Sequence, residues 1–200
     1  MKLETVLAQL RQRDSLPLFA GEPWDPELGR ALRESPAEEL FAGRSVQNAE
    51  LAAAAIAGLH LWNDDFEASH NLCQGIATPT GSYWHGLCHR REGHRNRGLE
   101  ANLNNTRYWF RQTGSHPAFP RVREAALAVL ADAGSGMRWV TEAAGRLANG
   151  DAWDPFAMVD WFGQADAGTL SPQTAQLLQE IQRREIAILL DWCVEQAVSG

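Results

Sequence analysis

The stretch SPQTAQLLQEIQRREIAILLDWCVEQAV, residues 171–198, carries the clearest helical pattern in the chain. Ser171 and Pro172 form a typical N-cap and first-turn pair, because serine can accept a hydrogen bond from a free backbone amide and proline has no amide to leave unsatisfied. The apolar residues that follow recur at roughly helical spacing: Leu177, Leu178, Ile181, Ile188, Leu189 and Trp192. This pattern predicts a long C-terminal helix that forms the structural spine of the fold.

Helical periodicity extends outward from this stretch, and no run of alternating β-branched residues bounded by turn signals interrupts it. Start and stop signals predict further helices near 2–13, 26–34, 37–42, 46–61, 63–74, 81–91, 103–113, 119–133, 137–148 and 155–165. We therefore expect an all-α, single-domain multi-helix bundle over residues 1–200. The first 45 residues, which contain Pro17, Pro23 and Pro36, predict short helices that form a peripheral arm or a lid.

The composition is typical of a soluble protein. The longest apolar run, residues 51–59, is mostly alanine and too short for a membrane span, and the N-terminal residues lack the apolar core of a secretory signal. Cys73, Cys88 and Cys193 are odd in number and contain no CxxC pair, which argues against a disulfide framework or a zinc ribbon. We expect a cytoplasmic protein without a membrane partner, with reduced and mainly packed cysteines. Only Cys88, near the histidines, is a candidate ligand or nucleophile.

The charge is unevenly distributed. The net charge of −7 argues against a protein that binds nucleic acid or anionic membrane over its whole surface. Between residues 90 and 123, however, eight arginines accompany only two glutamates. A genomic bias toward arginine would explain the type of these cations but not their clustering. Guanidinium groups suit bidentate contacts with carboxylate or phosphate, so we expect a small anionic or polar ligand and no nucleic acid.

All six histidines lie between residues 60 and 116 and overlap the arginine cluster. If residues 59–74 form one continuous helix, a polar stripe about 120° wide carries His60, Asn63, Asp64, Glu67, His70, Asn71 and Gln74. Glu67 and His70 have the Glu-x-x-His spacing of helical carboxylate-metal proteins. The second such pair, which a di-iron site needs, is missing from the sequence.

The next helix carries a second histidine pair in GSYWHGLCHRRE, residues 81–92. His85 and His89 are one helical turn apart and can share one divalent ion. Gly86 occupies the place of the catalytic glutamate of an HExxH zinc-protease motif, so the built-in general base is absent. A metal needs a third protein ligand, and Glu67 or His70 is the natural candidate. The connection over residues 75–80 is short, so we expect His70 to approach His85 or His89.

Three interpretations of the histidines stay open. Paired histidines are often structural hydrogen-bonding groups, and a polar stripe is often a solvated helix face. Alternatively, the histidines bind a divalent metal such as zinc or iron. In the third interpretation, histidine, glutamate and arginine form a metal-free site that binds or protonates an organic ligand.

Three aromatic residues lie between two arginines in NNTRYWFR, residues 104–111. On a helix, Arg107 and Arg111 share one face and Tyr108 follows one step round it. This guanidinium pair suits a phosphate or carboxylate ligand. Alternatively, the two arginines hold helices together through ion pairs. The acids that we expect nearest to them are Asp64, Glu67 and Glu92.

Several short motifs in this part of the chain resemble those of an uncharacterised family of bacterial and fungal proteins. The shared elements are Trp62, Asp64 and Asp65, Ser69 and His70, residues 78–85 (TPTGSYWH), residues 89–92 (HRRE), residues 108–111 (YWFR) and residues 114–117 (GSHP). The chain departs from the family after Glu92, where Gly93 and a longer arginine-rich loop replace a proline and a shorter connection. The resemblance implies that the site lies among these residues, and it implies no activity.

Together these patterns predict a polar groove between the helices near 60–74, 81–91 and 103–113. The candidate catalytic acid/base residues are Glu67, His70 and His85, and the candidate metal ligands are His70, His85, His89 and Glu67. The candidate ligand-binding residues are Arg91, Arg107, Tyr108, Arg111 and His116. The alternative is a non-catalytic protein-interaction module, in which the eight tryptophans and the arginines form an interface and the histidines are structural.

Overall fold

The computed structural model describes residues 1–198, so the last two residues of the predicted domain range lie outside the described residues. Within residues 1–198 the chain forms eleven α-helices and no β-strand. They are α1 (Leu3–Leu10), α2 (Pro26–Glu34), α3 (Ala37–Leu40), α4 (Ala49–Trp62), α5 (Phe66–Gln74), α6 (Pro79–Glu92), α7 (Leu99–Thr113), α8 (Phe119–Ala133), α9 (Arg138–Ala148), α10 (Pro155–Asp166) and α11 (Pro172–Val198). The all-α prediction, with a long C-terminal helix, is confirmed. None of these helices combines the length and the hydropathy that a membrane span requires.

The last helix, α11, packs against α4 and α8. It starts as predicted, because the Ser171 hydroxyl accepts a hydrogen bond from the Thr174 amide at 3.2 Å. Its fully buried apolar residues include Leu178, Ile181, Ile186, Leu189 and Leu190. These side chains join one hydrophobic core to which every helix contributes.

The central helix of the fold is α6, which packs against α4, α5 and α7. Every residue from Thr80 to Glu92 on this helix is buried. Close packing against α7 depends on Gly86, since a Cβ atom at this position would lie only 2.9 Å from the ring of Phe110. The helix nevertheless carries many polar residues, which find hydrogen-bond partners on neighbouring segments and, for His89, on the helix itself.

Two buried arginines tie α6 to distant parts of the chain. Arg90 donates to Glu185 of α11 at 2.6 Å, and both side chains are fully buried. Arg91 forms an ion pair with Asp64, which also binds Arg13. Burial lowers the pKa of Arg91 to about 10, so its guanidinium remains charged at neutral pH. These pairs fix the orientation of α6 from two sides.

The N-terminal segment contains three short helices, as predicted, and it packs against the core. Leu3, Val6 and Leu10 of α1 are fully buried. The carbonyl oxygen of Pro17 accepts hydrogen bonds from Gln182 at 2.9 Å and from Arg91 at 3.3 Å. The segment predicted as an arm or lid thus supplies partners to buried groups on α6 and α11.

The chain breaks between α4 and α5, in line with the separate helices predicted near 46–61 and 63–74, so the continuous helix on which the polar stripe over residues 59–74 depended does not form. Asp64 adopts a left-handed conformation with φ of 59°. Asn63 exchanges two hydrogen bonds with the backbone of Asp25, at 2.9 and 3.0 Å. Asn63, Asp64 and His60 are therefore buried in the interior and do not continue a polar stripe toward His70.

Candidate metal site

Helices α5 and α6 bring three imidazole rings together. His70 lies on α5, and His85 and His89 lie on α6. The Nε2 atoms of His70 and His85 are 3.0 Å apart. Each of the three residues offers one ring nitrogen, and these nitrogens all lie within 4.8 Å of one another. The prediction that His70 approaches the pair on α6 is confirmed.

The two helices can approach closely because the side chains between them are small. The Ser69 hydroxyl lies 3.2 Å from the Cys88 sulfur, and the sulfurs of Cys73 and Cys88 are 4.0 Å apart. The connection between the helices is short, and α6 begins where the Thr78 hydroxyl accepts a hydrogen bond from the Gly81 amide at 3.3 Å. These contacts set the spacing at which the histidines meet.

The donor set fits an open metal site. Tetrahedral zinc bound to imidazole at about 2.0–2.1 Å places neighbouring nitrogens roughly 3.3 Å apart. The His70–His85 distance of 3.0 Å is close to that value, and the set of three nitrogens is wider, with all of them within 4.8 Å of one another. Three protein ligands leave the fourth position of a tetrahedral ion for water or a ligand, as in catalytic zinc sites.

His89 is oriented by a buried carboxylate. Its Nδ1 lies 2.8 Å from Glu92 Oε2, and the Asn96 side chain donates to Glu92 Oε1 at 2.8 Å. Since Glu92 accepts hydrogen bonds, Nδ1 of His89 carries the proton and Nε2 is the nitrogen left for a metal. A carboxylate bound to the second nitrogen of a metal-ligating histidine is the usual arrangement around such sites.

The protonation of the site also suits a metal. Burial, together with the nearby charges of His89 and His70, lowers the pKa of His85 to about 3. Burial likewise lowers the pKa of His89, although Glu92 opposes this change. Both rings are therefore neutral at pH 7, and the neutral imidazole is the form that binds metal ions.

Aromatic rings pack on the outside of the cluster. Phe66 stacks on His70 with ring centroids 5.5 Å apart, and Trp109 stacks on His85 at 3.9 Å. Tyr108, a predicted ligand-binding residue, contacts the Trp109 ring and is 50% exposed. The rings hold the imidazoles in place, and they leave Tyr108 at the surface beside them.

Glu67 does not join the three histidines. It lies exposed, one turn before His70 on α5. It lines a polar cavity of about 460 Å³ whose wall also contains Phe66 and Asn96. Phe66 contacts His70, and Asn96 binds the carboxylate that holds His89. The cavity therefore adjoins the histidine cluster, and Glu67 faces that cavity.

The predicted arginine side of the groove is not assembled as expected. Arg91 is fully buried against Asp64. Arg107 binds Asp160 of α10 at 3.0 Å, so the three acids predicted as its nearest partners were wrong. The reason is that α7 packs against α10 as well as against α6. Arg111 is exposed to solvent.

His116 lies at the other end of α6, beside its first turn. Its Nδ1 accepts a hydrogen bond from the Ala118 amide at 3.1 Å, and its Nε2 lies 3.1 Å from the Thr80 hydroxyl. Its ring also contacts Tyr83 and Trp192. The structure thus separates this predicted ligand-binding residue from the cluster of His70, His85 and His89.

Sequence reasoning missed Glu92 as the partner of His89 and the two rings that pack on the cluster. Glu92 could have been found, because it follows His89 by three residues and so lies on the same helix face. No family model, curated protein or solved structure matches the chain.

Proposed function

We propose that this chain is a metal-binding protein in which His70, His85 and His89 bind a divalent ion and leave one position open for a small ligand. The observation that carries the proposal is the convergence of three imidazole nitrogens within 4.8 Å. Burial keeps the rings of His85 and His89 neutral, and Glu92 orients the ring of His89. Three neutral nitrogen donors suit zinc and also ferrous iron.

A purely structural role fits the contacts less well. A hydrogen bond between neutral imidazoles explains the 3.0 Å distance from His70 to His85. Nδ1 of His85 is buried without a hydrogen-bond partner, and a metal bound at Nε2 would leave it unpaired as well, so this atom does not distinguish the two roles. A bound metal supplies a reason for assembling three imidazoles that a hydrogen bond between two of them does not.

An enzyme built on this centre would use a metal-bound water. A divalent metal lowers the pKa of bound water toward neutrality, which generates a nucleophile for hydrolysis or hydration. Glu67 is the candidate general base, because it is a carboxylate one turn from His70 on the wall of the adjoining cavity. If so, Glu67→Gln should retain metal and lose turnover.

The alternative, a protein-interaction module, is less well supported by the residues exposed at the surface. An interface of that kind is expected to present clustered aromatic residues. Trp24, at 40% exposure, is the one exposed tryptophan among the described residues, and the exposed large apolar side chains besides it are Val46 and Tyr108. Most tryptophans instead pack in or against the core.

Metal titration tests the proposal. Protein stripped with a chelator should bind one equivalent of zinc, and zinc at about 100 times its dissociation constant should raise the melting temperature by roughly 5–10 °C. The changes His70→Ala, His85→Ala and His89→Ala should each remove most of the bound metal. His94→Ala is the matched control, because His94 is an exposed histidine that binds Asp166 instead. Stoichiometric zinc in all three site variants would remove these residues from the ligand set.

A further inference from the structure

A histidine outside the metal cluster is held in a fixed orientation by a carboxylate. His60 lies in the last turn of α4, and its side chain is only 2% exposed. Its Nδ1 lies 3.0 Å from Oδ2 of Asp65, the residue directly before α5. The same carboxylate forms an ion pair with Arg33 of α2. Contacts with α2 and with the start of α5 therefore fix the imidazole ring.

The second ring nitrogen of His60 has no partner in the protein. Because the Asp65 carboxylate accepts a hydrogen bond, Nδ1 of His60 carries the proton, and Nε2 of the neutral ring offers a lone pair. Nε2 makes no hydrogen bond to any of residues 1–198, and it is not fully sealed from solvent. An almost completely buried polar atom of this kind usually binds water or a ligand. The ring thus presents one unused hydrogen-bond acceptor.

His60 lines a cavity of about 300 Å³ between α2, α4 and α5. The apolar part of the cavity wall consists of Leu32, Ile56, Ala68 and Leu72. Ala68 and Leu72 are one turn apart on α5 and share a face, whereas His70 lies on the opposite face of that helix. The cavity is therefore separate from the candidate metal site. Its volume is at the lower end of the range for small-molecule sites, which suits a ligand with a single ring.

The polar edge of the cavity carries no net charge. Arg33 and Ser35 line it together with His60. The charge of Arg33 is balanced by its ion pair with Asp65, which uses only Nη1 of the guanidinium group. The remaining guanidinium N–H groups can donate a hydrogen bond, and the Ser35 hydroxyl can donate or accept one. This edge therefore suits a neutral group that both donates and accepts hydrogen bonds.

We propose that this cavity is a binding site for a small, neutral, mainly apolar molecule that carries one hydroxyl group. The hydroxyl group would donate to Nε2 of His60 and accept a hydrogen bond from Arg33 or Ser35. The rest of the molecule would contact the apolar wall of the cavity. The inference goes beyond the proposed function and does not depend on it, because none of these residues belongs to the set His70, His85 and His89.

Phenol binding to the full chain tests the site, and methyl NMR shows where the ligand binds. With a chelator present to exclude metal-bound phenol, phenol should shift the methyl signals of Ile56, which lines the cavity. It should leave the methyl signals of Val140 unchanged, because Val140 lines a different, apolar cavity. Anisole has the same ring and oxygen but no proton to donate. It should bind about fivefold more weakly, as expected for the loss of one hydrogen bond.

The variant His60→Asn isolates the unused nitrogen. The asparagine amide nitrogen can take the place of Nδ1 in the hydrogen bond to Asp65, and nothing replaces Nε2. This variant should bind phenol about fivefold more weakly than the parent and should bind anisole with nearly the parent's affinity. His94→Asn is the matched control, because it makes the same change at an exposed histidine that binds Asp166. It should bind both compounds like the parent.

Ala68→Leu tests the cavity without changing His60. The larger side chain should fill part of the space between α2, α4 and α5 and abolish the phenol-induced shift at Ile56. Absence of that shift in the parent, or its persistence in Ala68→Leu, would overturn the site. Equal affinities of phenol and anisole in the parent would overturn the role of His60. If His60→Asn does not fold, the comparison of phenol with anisole in the parent decides that role.

Discussion

Replacing Glu185 by glutamine probes the buried ion pair that anchors the central helix. The carboxylate accepts three hydrogen bonds: from Arg90 at 2.6 Å, from the Tyr83 hydroxyl at 2.9 Å and from the Trp153 indole at 2.9 Å. Arg90 and Glu185 are both fully buried. The substitution keeps the shape of the side chain and removes only its charge and part of its capacity to accept hydrogen bonds.

The size of the loss in unfolding free energy depends on the groups that stay buried after the substitution. Arg90 would be a buried cation without a counter-ion, and its Nε and Nη1 atoms have no hydrogen-bond partner even in the parent. Breaking a buried pair on one side costs about 3–5 kcal/mol of unfolding free energy. The NH2 group of the glutamine cannot accept a hydrogen bond, although its oxygen can, so at least one of the three donors loses its acceptor. We expect a loss of about 3–5 kcal/mol, a large part of the 5–15 kcal/mol typical of a protein.

Urea unfolding followed by tryptophan fluorescence measures this loss, with the dependence on urea checked for a two-state transition. The effects of the two substitutions should not be additive. The double variant Arg90→Met/Glu185→Gln should lose less unfolding free energy than the sum of the losses in the two single variants, because it no longer contains the unpaired cation. A loss below about 1 kcal/mol in Glu185→Gln, or simple additivity in the double variant, would refute it.

Three further predictions concern other parts of α6 and its neighbours. Stability should fall as pH drops from 7 toward 4, because burial lowers the pKa of His116 to about 4 and the unfolded chain therefore takes up the proton first; urea unfolding of His116→Gln should show a weaker pH dependence. Gly86→Ala should destabilise by about 1–3 kcal/mol through overlap with Phe110, whereas an effect near zero in urea unfolding would mean that α7 can shift. The three cysteines are buried and reduced, and burial raises the pKa of Cys193 to about 12, so a thiol reagent should label them only after denaturant is added.

The helices were predictable because their signals are local. Ser171 and Pro172 marked the start of α11, and the apolar spacing marked its buried face. In the structure α2 and α10 likewise begin with a proline after an aspartate N-cap. The start of α7 at Leu99 was placed four residues too late. The polar stretch before it looked like a loop, and its helical turn is stabilised by the buried contacts of Asn102, which depend on the tertiary fold.

The histidine cluster was predictable for the same reason, since spacing within α6 and a short connection to α5 involve only neighbouring residues. The arginine partners were not. Arg13 and Asp64 are separated by 51 residues, and Arg90 and Glu185 by 95. A helical pattern shows which side chains share a face, but it does not show which other helix packs on that face. The partner of Arg107 was missed because α10 lies beside that face of α7.

The burial of the N-terminal segment against α11 has a consequence for the order in which the chain can fold. Pro17 receives a hydrogen bond from Gln182, and Arg11 binds Asp191 at 2.8 Å. The amide of Gln47 donates to the Ala197 carbonyl at 2.8 Å. During synthesis the first helices therefore leave the ribosome long before the helix that they pack against. Contacts between such distant segments slow folding, and the core closes only after residues 172–198 have been made.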